Sequence, residues 1–551
     1  MLHRHGSKQK NFENIAGKVV HDLAGLQLLS NDVQKSAVQS GHQGSNNMRD
    51  TSSQGMANKY SVPKKGLPAD LSYQLIHNEL TLDGNPHLNL ASFVNTFTTD
   101  QARKLIDENL TKNLADNDEY PQLIELTQRC ISMLAQLWHA NPDEEPIGCA
   151  TTGSSEAIML GGLAMKKRWE HRMKNAGKDA SKPNIIMSSA CQVALEKFTR
   201  YFEVECRLVP VSHRSHHMLD PESLWDYVDE NTIGCFVILG TTYTGHLENV
   251  EKVADVLSQI EAKHPDWSNT DIPIHADGAS GGFIIPFGFE KEHMKAYGME
   301  RWGFNHPRVV SMNTSGHKFG LTTPGLGWVL WRDESLLADE LRFKLKYLGG
   351  VEETFGLNFS RPGFQVVHQY FNFVSLGHSG IHESIENDSA PKSVKDYWEH
   401  PQAYKPGVPL VAFKLSKKFH EEYPEVPQAI LSSLLRGRGW IIPNYPLPKA
   451  TDGSDEKEVL RVVFRSEMKL DLAQLLIVDI ESILTKLIHS YEKVCHHIEL
   501  ASEQTPERKS SFIYEMLLAL ASPQDDIPTP DEIEKKNKLK ETTTRNYRGT
   551  C

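Results

Sequence analysis

Asn313-Thr-Ser-Gly-His-Lys-Phe-Gly320 follows an apolar run, Val309, Val310 and Met312, that predicts a buried strand. Lys318 therefore lies at the end of a strand, in a glycine-containing loop where a rigid scaffold meets solvent. Desolvation at such a place lowers the pKa of a lysine, and a neutral amine can form a Schiff base with an aldehyde. Lys318 is thus a candidate for covalent attachment of a carbonyl cofactor.

A second strand end, upstream of the first, carries an acid. The segment Ile272-Pro-Ile-His-Ala-Asp-Gly-Ala-Ser-Gly-Gly-Phe283 reaches Asp277 at the end of an apolar run and continues in small residues. Pyridoxal phosphate needs a lysine to hold its aldehyde and an acid to pair with its pyridinium nitrogen. Asp277 and Lys318 together therefore predict a pyridoxal-phosphate site.

Composition excludes several other classes of protein. The 551 residues allow two or three domains, and 39% hydrophobic with 24% charged residues is ordinary for a globular protein. The net charge of −12 and the lack of a basic domain argue against a nucleic-acid partner. No apolar run approaches the roughly 20 residues of a membrane helix, and no signal peptide is visible. Seven cysteines without metal-ligand spacing predict reduced thiols, so a cytoplasmic protein is expected.

The pattern of apolar and polar segments predicts four regions. Residues 1–67 combine an amphipathic helix at 11–29 with a polar, flexible linker. Residues 68–380 alternate short apolar strands with helices, which is typical of an α/β large domain with a mostly parallel sheet. Residues 381–502 predict a smaller α+β domain, and 503–551 form a polar tail. The predicted strands are 184–189, 235–240, 272–277, 308–313, 408–414 and 459–465, and the predicted helices are 154–175, 249–263 and a long one from 471.

Thr151-Thr-Gly-Ser-Ser-Glu156 precedes the apolar start of a predicted helix. Hydroxyl residues at a helix N-terminus offer N–H and O–H donors to a phosphate, and the helix dipole adds to the attraction. Ser154 and Ser155 are the phosphate candidates, although an ordinary N-cap explains this segment when it is taken alone. Gly240-Thr-Thr-Tyr-Thr-Gly245 is a further strand end with hydroxyl residues. The order of phosphate motif, acid and lysine along the chain favours one shared cofactor site.

Eight segments of the chain resemble glutamate decarboxylase, a group II pyridoxal-phosphate decarboxylase with the aspartate aminotransferase fold (fold type I). They are NLASF (89–93), TGSSEA (152–157), HADGASGGF (275–283), SGHKFG (315–320), GLGW (325–328), YLGG (347–350), NFSRP (358–362) and LRVVFR (460–465). The resemblance covers about residues 68–500, and SGHKFG followed closely by GLGW is highly specific for this branch. It implies a carboxy-lyase that converts L-glutamate to 4-aminobutyrate (GABA) and CO2 in glutamate catabolism. The tails and the linker are similar to those of fungal-type members.

The resemblance also implies a role for each residue of the cofactor site. Lys318 would form the internal aldimine, His317 would contact the phosphate and assist protonation, and Asp277 would pair with the pyridinium nitrogen. The other implied cofactor-binding residues are Ala279 and Gln192 at the two ring faces, Ser154 and Ser155 at the phosphate, Thr242 and Ser315 within the cofactor site, and Ser360 from a partner subunit at the phosphate.

For the substrate, the resemblance implies a different set of residues. Arg461 would pair with a substrate carboxylate through a bidentate fork, which suits guanidinium geometry. Without the resemblance, Arg461 would be interpreted as an ordinary surface arginine on a strand. Ser92, Phe93, Asn113 and Asp116 match positions that line the distal-carboxylate pocket, partly across a dimer interface. These cross-subunit residues imply at least a homodimer, and the N-terminal helix raises the alternative of a hexamer.

The chain departs from the family at three places. Glu196 replaces a histidine and Ser92 a threonine of bacterial members, and both are expected to be tolerated. After Gly380 the family continues with a helix of roughly 30 residues between the domains, whereas this chain proceeds to Ile381-His-Glu-Ser. Either a segment is missing from this sequence or the protein carries a deletion. We expect the former, because loss of the helix would expose apolar surface and unfold the small domain.

Several alternatives stay open at this point. Lys318, His317 and Tyr347 are all candidates for protonating the substrate Cα after CO2 has left. A related decarboxylase for another amino acid, or a carbon–carbon lyase of the same fold, is the nearest alternative activity. Ser212-His-Arg-Ser-His-His217 matches no standard metal site, so a solvated loop is expected there. Residues 508–522 are a weak candidate for calmodulin binding, with docking on the protein's own surface as the expected alternative.

Overall fold

The computed structural model describes residues 60–63, 65–116, 118–268, 270–345, 352–386, 407–448 and 458–499. The predicted N-terminal helix, Tyr347 and the 508–522 segment lie outside these residues. The chain divides into two units, Met1–Asp83 and Gly84–Cys551. Helix α1, Ala69–Leu80, belongs to the first unit, and the elements below belong to the second.

A seven-stranded sheet is the central element of the second unit. Its strands are β1 Ile147–Thr151, β2 Asn184–Ser188, β3 Glu205–Val209, β4 Thr232–Ile238, β5 Ile274–Asp277, β6 Val309–Ser315 and β7 Gly327–Trp331. The strand order is β1-β7-β6-β5-β4-β2-β3. The pairings from β6 through β5, β4 and β2 to β3 are parallel, whereas β7 is antiparallel to both β6 and β1. The prediction of a mostly parallel sheet is confirmed.

The predicted strands of the large domain coincide with β2, β4, β5 and β6 to within three residues at each end. Every residue of β4 and of β6 is buried. Strands covered by helices on both faces are continuously apolar, so their pattern is visible in sequence. Strands β1, β3 and β7 were not predicted. Strand β3 lies at the sheet edge and is partly exposed, which interrupts its apolar pattern.

Helices cover the sheet. They are α2 Asp100–Asn109, α3 Pro121–Leu137, α4 Ser154–Asn175, α5 Val193–Tyr201, α6 Val250–Lys263, α7 Gly281–Gly288, α8 Lys291–Ala296 and α9 Phe364–Glu386. The predicted helix 154–175 matches α4, and the predicted helix 249–263 begins one residue before α6. Helix α4 begins three residues after β1 ends, which places its N-terminus at the carboxyl edge of the sheet.

A smaller three-stranded antiparallel sheet follows in sequence. After the hairpin of β8 Phe343–Leu345 and β9 Glu352–Thr354, the elements of this region are β10 Leu410–Phe413, α10 Lys417–Glu422, α11 Ala429–Gly437, β11 Asn444–Pro446, β12 Glu458–Val463 and α12 Leu470–Glu499. The strand order of this sheet is β10-β12-β11. Its apolar core includes Ile430, Leu460 and Leu476, and also Leu90. Because the amide of Val463 donates to the carbonyl of Leu90 at 2.9 Å, the NLASF segment lies against β12.

Helix α9 passes through residue 380, where the sequence predicts a domain border and a missing interdomain segment. Its backbone leaves the helical region at Gly377, with φ 61° and ψ −171°. A left-handed φ of this kind favours glycine. The predicted division of the chain at 380 stays a prediction. Within the described ranges, no helix is long and apolar enough to cross a membrane.

Candidate active site

The predicted cofactor residues follow strands that end at one edge of the large sheet. Asp277 is the last residue of β5, Ser315 is the last residue of β6, and Lys318 follows three residues later. Ser154 comes three residues after the end of β1. Ligands of open α/β sheets bind at the carboxyl ends of the strands. The fold therefore gathers residues that are more than 150 positions apart in the chain.

Lys318 has a polar and an aromatic neighbour. Its Nζ donates to Ser280 Oγ at 3.2 Å and lies 5.1 Å from the ring centroid of Phe93. Burial lowers the pKa of Lys318 to about 8, with nearby Arg461 lowering it further and Asp277 opposing the shift. This shift agrees with the desolvation that the sequence predicts, and the role of Lys318 as the cofactor lysine stays a prediction.

Asp277 is buried and uses one of its two carboxylate oxygens. Its Oδ1 accepts hydrogen bonds from the amide of Ala279 and from Nδ2 of Asn313, both at 3.0 Å. None of the described residues donates a hydrogen bond to Oδ2. A pyridinium N–H is a donor that this oxygen could accept, and Ala279 is held beside the carboxylate.

The turn before α4 has the features of an anion site. Gly153 has φ 151°, and Ser154 Oγ lies 2.6 Å from Ser315 Oγ, both side chains being buried. Ser155, the next residue, is exposed. The N-terminus of a helix as long as α4 offers unpaired N–H groups and a positive dipole end to a phosphate.

The His317 ring lies beside this turn, since a Cβ placed on Gly153 would be 3.3 Å from His317 Cε1. Its Nδ1 donates to the carbonyl of Leu326 at 2.8 Å, because a carbonyl oxygen can only accept. Burial and the neighbouring Lys318 lower the pKa of His317. The ring is therefore neutral near pH 7, with Nε2 as its acceptor nitrogen.

Arg461 lies in β12, and its buried guanidinium group contacts backbone carbonyls and aromatic rings. Nη1 donates to the carbonyl of Thr242 at 2.7 Å and Nη2 to that of Ala91 at 2.5 Å. The guanidinium carbon lies 5.0 Å from the ring of Phe93 and 5.5 Å from that of Tyr445. Burial lowers the pKa of Arg461, and its Nε has no hydrogen-bond partner among the described residues. A buried cation with a free donor is suited to a ligand carboxylate.

Three predicted substrate or phosphate residues form a separate group. Asn113 Nδ2 donates to Asp116 Oδ1 at 3.0 Å and approaches Ser360 Oγ at 3.4 Å. Ser360 is exposed. In the part of the chain that the structure describes, no hydrogen bond connects this group to Lys318. Its assignment to a partner subunit's site stays a prediction.

Two further predicted residues have local roles in this structure. Gln192 caps α5, because its Oε1 accepts from the amide of Ala194 at 2.6 Å, and the side chain is exposed. Its predicted stacking on the cofactor ring stays untested. Ser92 Oγ accepts from the amide of Val94 at 3.1 Å and so holds the turn that carries Phe93.

Sequence reasoning missed four residues of this site. Ser280, His275 and Asn313 lie inside the quoted motifs, but their side-chain partners are far apart in the chain. Tyr445, beside Arg461, stands in Asn444-Tyr-Pro446, where an aromatic between turn-forming residues was the available signal. Within the described ranges, no group of three or more His, Cys, Asp or Glu side chains could hold a metal ion.

The site fits pyridoxal phosphate. Three groups lie at one sheet edge: a lysine amine with a lowered pKa, a carboxylate oxygen that accepts no hydrogen bond, and a helix N-terminus with serine side chains. Pyridoxal phosphate requires these three groups. The fold and the site together define a pyridoxal-phosphate enzyme of fold type I.

Comparisons with known proteins agree with that class. The model of the pyridoxal-dependent decarboxylase conserved domain matches residues 63–416. A glutamate decarboxylase of Saccharomyces cerevisiae is 94% identical over 585 aligned positions, covering 100% of both chains. Glutamate decarboxylase 1 of Arabidopsis thaliana is 40% identical over 86% of this chain and 91% of its own. The solved glutamate decarboxylase of Lactobacillus brevis has a TM-score of 0.69 at 35% identity, covering 77% of this chain and 94% of its own. The chain belongs to the pyridoxal-dependent decarboxylase family, among the glutamate decarboxylases.

The yeast alignment contains positions that this chain lacks. It spans 585 positions, whereas this chain has 551 residues, so at least 34 positions of the alignment have no residue of this chain. That length agrees with the segment of roughly 30 residues that the resemblance predicts between the two domains.

Proposed function

We propose that this chain catalyses the decarboxylation of L-glutamate to 4-aminobutyrate and CO2 with pyridoxal phosphate as cofactor. The observation that carries the proposal is the shared position of Lys318 and Arg461 over the ring of Phe93, at 5.1 and 5.0 Å. One cation suits attachment of the cofactor, and the other suits a substrate carboxylate. The three relatives compared above are all glutamate decarboxylases by name.

When bound, pyridoxal phosphate supplies a cationic ring that accepts the electron pair left at Cα as CO2 departs. Asp277 would keep that ring protonated, because its Oδ2 accepts no hydrogen bond from the described residues and could accept one from the ring nitrogen. Ser154, at the start of α4, lies where the phosphate would be held, and the ring of His317 lies beside the same turn. The negative charge of Asp277 and the positive end of the helix dipole thus act at opposite ends of the cofactor.

Among the described residues, Lys318 is the best proton donor to Cα. With a pKa of about 8, its amine mostly holds a proton at pH 7, and roughly one copy in ten is neutral and able to attack an aldehyde. His317 is the weaker candidate, because its Nδ1 proton is bonded to the Leu326 carbonyl and its lowered pKa leaves Nε2 unprotonated. One proton is consumed per turnover, because a carboxylate leaves as neutral CO2 and a C–H bond forms.

Arg461 selects for a substrate with a carboxylate in reach of Nε. Phe93 and Tyr445 flank the guanidinium and exclude water, which strengthens a charge-assisted hydrogen bond in the site. The carbonyls of Thr242 and Ala91 orient the guanidinium before any ligand arrives. A preoriented donor loses little entropy when the ligand binds.

The proposal is tested by measuring CO2 and amine products from purified protein with added pyridoxal phosphate. L-glutamate, L-aspartate, L-tyrosine and L-tryptophan are supplied separately, and products are identified by NMR. We expect equimolar 4-aminobutyrate and CO2 from glutamate, with little turnover of the other three. Faster release of CO2 from an aromatic amino acid would identify a related decarboxylase instead. Cofactor binding without any CO2 release would indicate a carbon–carbon lyase.

The assembly belongs to the same proposal, as at least a homodimer, with a hexamer as the larger alternative. Ser360 is exposed, and among the described residues no hydrogen bond connects its group to Lys318. Both observations support a role of its segment at a partner subunit. Light scattering should give at least twice the mass of one chain. A chain beginning at residue 60 tests whether the N-terminal region is needed for a larger assembly.

The free thiols of the five described cysteines support a reducing, cytoplasmic compartment.

A further inference from the structure

A chain of four buried polar side chains extends behind the cofactor site. His275 and Asp277 lie two residues apart in β5, and Ser311 and Asn313 two residues apart in β6. The register pairs His275 with Ser311 and Asp277 with Asn313. Because side chains two residues apart share one face of a sheet, all four point to the same side. They are fully buried apart from Asp277, which is 4% exposed.

Three hydrogen bonds connect these side chains in series. Ser311 Oγ lies 2.7 Å from His275 Nδ1, and His275 Nε2 lies 2.8 Å from Asn313 Oδ1. Asn313 Nδ2 then donates to Asp277 Oδ1 at 3.0 Å. The series ends on the carboxylate that would pair with the cofactor nitrogen.

Chemistry assigns one direction to the whole series. The Asp277 carboxylate accepts only, so the amide nitrogen of Asn313 faces it and the amide oxygen faces His275. That oxygen also accepts only, so His275 carries its proton on Nε2. Nδ1 is then the acceptor for the hydroxyl proton of Ser311. Each of the three groups therefore donates toward Asp277.

The imidazole ring has no room to turn away from this arrangement. A Cβ on Gly161 of α4 would lie 2.4 Å from His275 Cε1 and Nδ1. The ring therefore fits only because residue 161 has no side chain. Phe236 of β4 meets the ring edge-on, with 5.4 Å between centroids and 83° between planes. Burial lowers the pKa of His275 to about 4, against a hydrogen bond to Asn313 and the nearby Asp277. The ring stays neutral, in one tautomer, at physiological pH.

We infer that His275 is a positioning residue that acts through Asn313 to set which oxygen of Asp277 meets the cofactor nitrogen and to support the carboxylate's negative charge. With its amide oxygen held by His275, Asn313 can offer only its N–H to Asp277. Without that bond the amide could turn and present its oxygen to the carboxylate, which is repulsive. The inference rests on the proposed cofactor, and it is independent of which amino acid is the substrate.

The test compares two ligands of the apoprotein. One is pyridoxal phosphate, and the other is its carbocyclic analogue, in which carbon replaces the ring nitrogen. His275→Phe keeps a flat ring but removes the donor to Asn313. We expect it to raise the dissociation constant for pyridoxal phosphate about tenfold, the effect of weakening a hydrogen bond to a charged group. The dissociation constant for the analogue should stay unchanged, because the analogue does not use Asp277.

Three further variants complete the set. His275→Gln restores an N–H donor and should recover most of the lost affinity. Gly161→Ala leaves His275 in place but crowds its ring, so it should weaken binding of pyridoxal phosphate more than that of the analogue. His306→Phe is the matched control, since His306 is also buried but bonds to the amide of Arg308 and not to this network.

A purely structural role for His275 would lower the affinity for both ligands equally, and that result would overturn the inference. Unchanged affinity for pyridoxal phosphate in His275→Phe would overturn it as well. Should His275→Phe fail to fold by circular dichroism, Gly161→Ala decides with the same two ligands. Failure of the unaltered protein to bind pyridoxal phosphate would refute the proposed cofactor instead, so the two failures are distinguishable.

Discussion

Arg461 Nη1 donates a 2.7 Å hydrogen bond to the carbonyl oxygen of Thr242. Arg461 lies in β12 of the three-stranded sheet, whereas Thr242 follows β4 of the seven-stranded sheet. The second donor, Nη2, bonds to the carbonyl of Ala91 in the NLASF segment. One side chain thus joins three distant segments, while its buried Nε has no hydrogen-bond partner among the described residues.

Replacing Arg461 by lysine keeps the charge but removes the planar fork. We expect kcat/KM for glutamate to fall about 100-fold, because losing a buried charge-assisted pair costs about 3 kcal/mol. The visible absorbance of the bound cofactor should persist, since Lys318 and Asp277 are unchanged. Steady-state kinetics and absorbance spectra check both statements. Arg438→Lys, in the partly buried ion pair with Asp479, is the control. Equal losses in the two variants would contradict a substrate role for Arg461.

Replacing Lys318 by alanine removes the amine that would attach the cofactor. We expect loss of the visible absorbance of the lysine-bound cofactor and a fall in kcat of at least about a thousandfold. Lys252→Ala, at an exposed position of α6, should leave both unchanged. Normal turnover by the Lys318→Ala protein would refute covalent attachment at this residue.

The buried Ser154 and Ser315 hydroxyls mark the predicted phosphate end of the site. Ser154→Ala should raise the dissociation constant for pyridoxal phosphate about tenfold, because a hydrogen bond to a charged group is lost. Binding of pyridoxal, which lacks the phosphate, should not change. Fluorescence titration of the apoprotein with both ligands measures this, and Ser223→Ala is the control. Equal weakening of both ligands would place the phosphate elsewhere.

Glu248 predicts a pH dependence of stability. It is fully buried, with its carboxylate accepting from the amides of Leu219 at 2.9 Å and Ile238 at 2.8 Å. Burial raises its pKa to about 7, against these hydrogen bonds, from an ordinary value of 4.5. Between about pH 4.5 and pH 7, the folded protein therefore binds more protons at Glu248 than the unfolded chain does. The contribution of Glu248 to the free energy of unfolding is therefore full below about pH 4.5 and is lost as the pH rises through about 7.

The glutamine of Glu248→Gln cannot titrate. The free energy of unfolding of this variant should therefore fall less steeply as the pH rises toward 7. Denaturant unfolding of the apoprotein at pH 5, 6 and 7 gives the slope for each variant. The exposed Glu222→Gln should keep the original slope. If Glu248→Gln also keeps it, the Glu248 carboxyl is ionised throughout this range and the predicted shift is wrong.

Much of the central sheet could be predicted because its strands are short, contain apolar residues and are followed by turn residues. The same local pattern located Lys318, Asp277 and the serines of the α4 turn, since each stands directly at a strand or helix end. Edge strand β3 escaped prediction because partial exposure breaks the apolar pattern. Ser280 and Tyr445 escaped because nothing local indicates which distant side chain they contact.

By itself, the sequence determined the kind of chemistry that this protein supports. The lysine, the acid and the hydroxyl-rich turn are encoded with their strands in short segments, and local propensity places each at an element end. Only the tertiary structure decided that Phe93 lies under both Lys318 and Arg461, and that His275 donates toward Asp277. Parallel pairing and packing between sheets join residues far apart in sequence, and burial then sets their pKa values and tautomers.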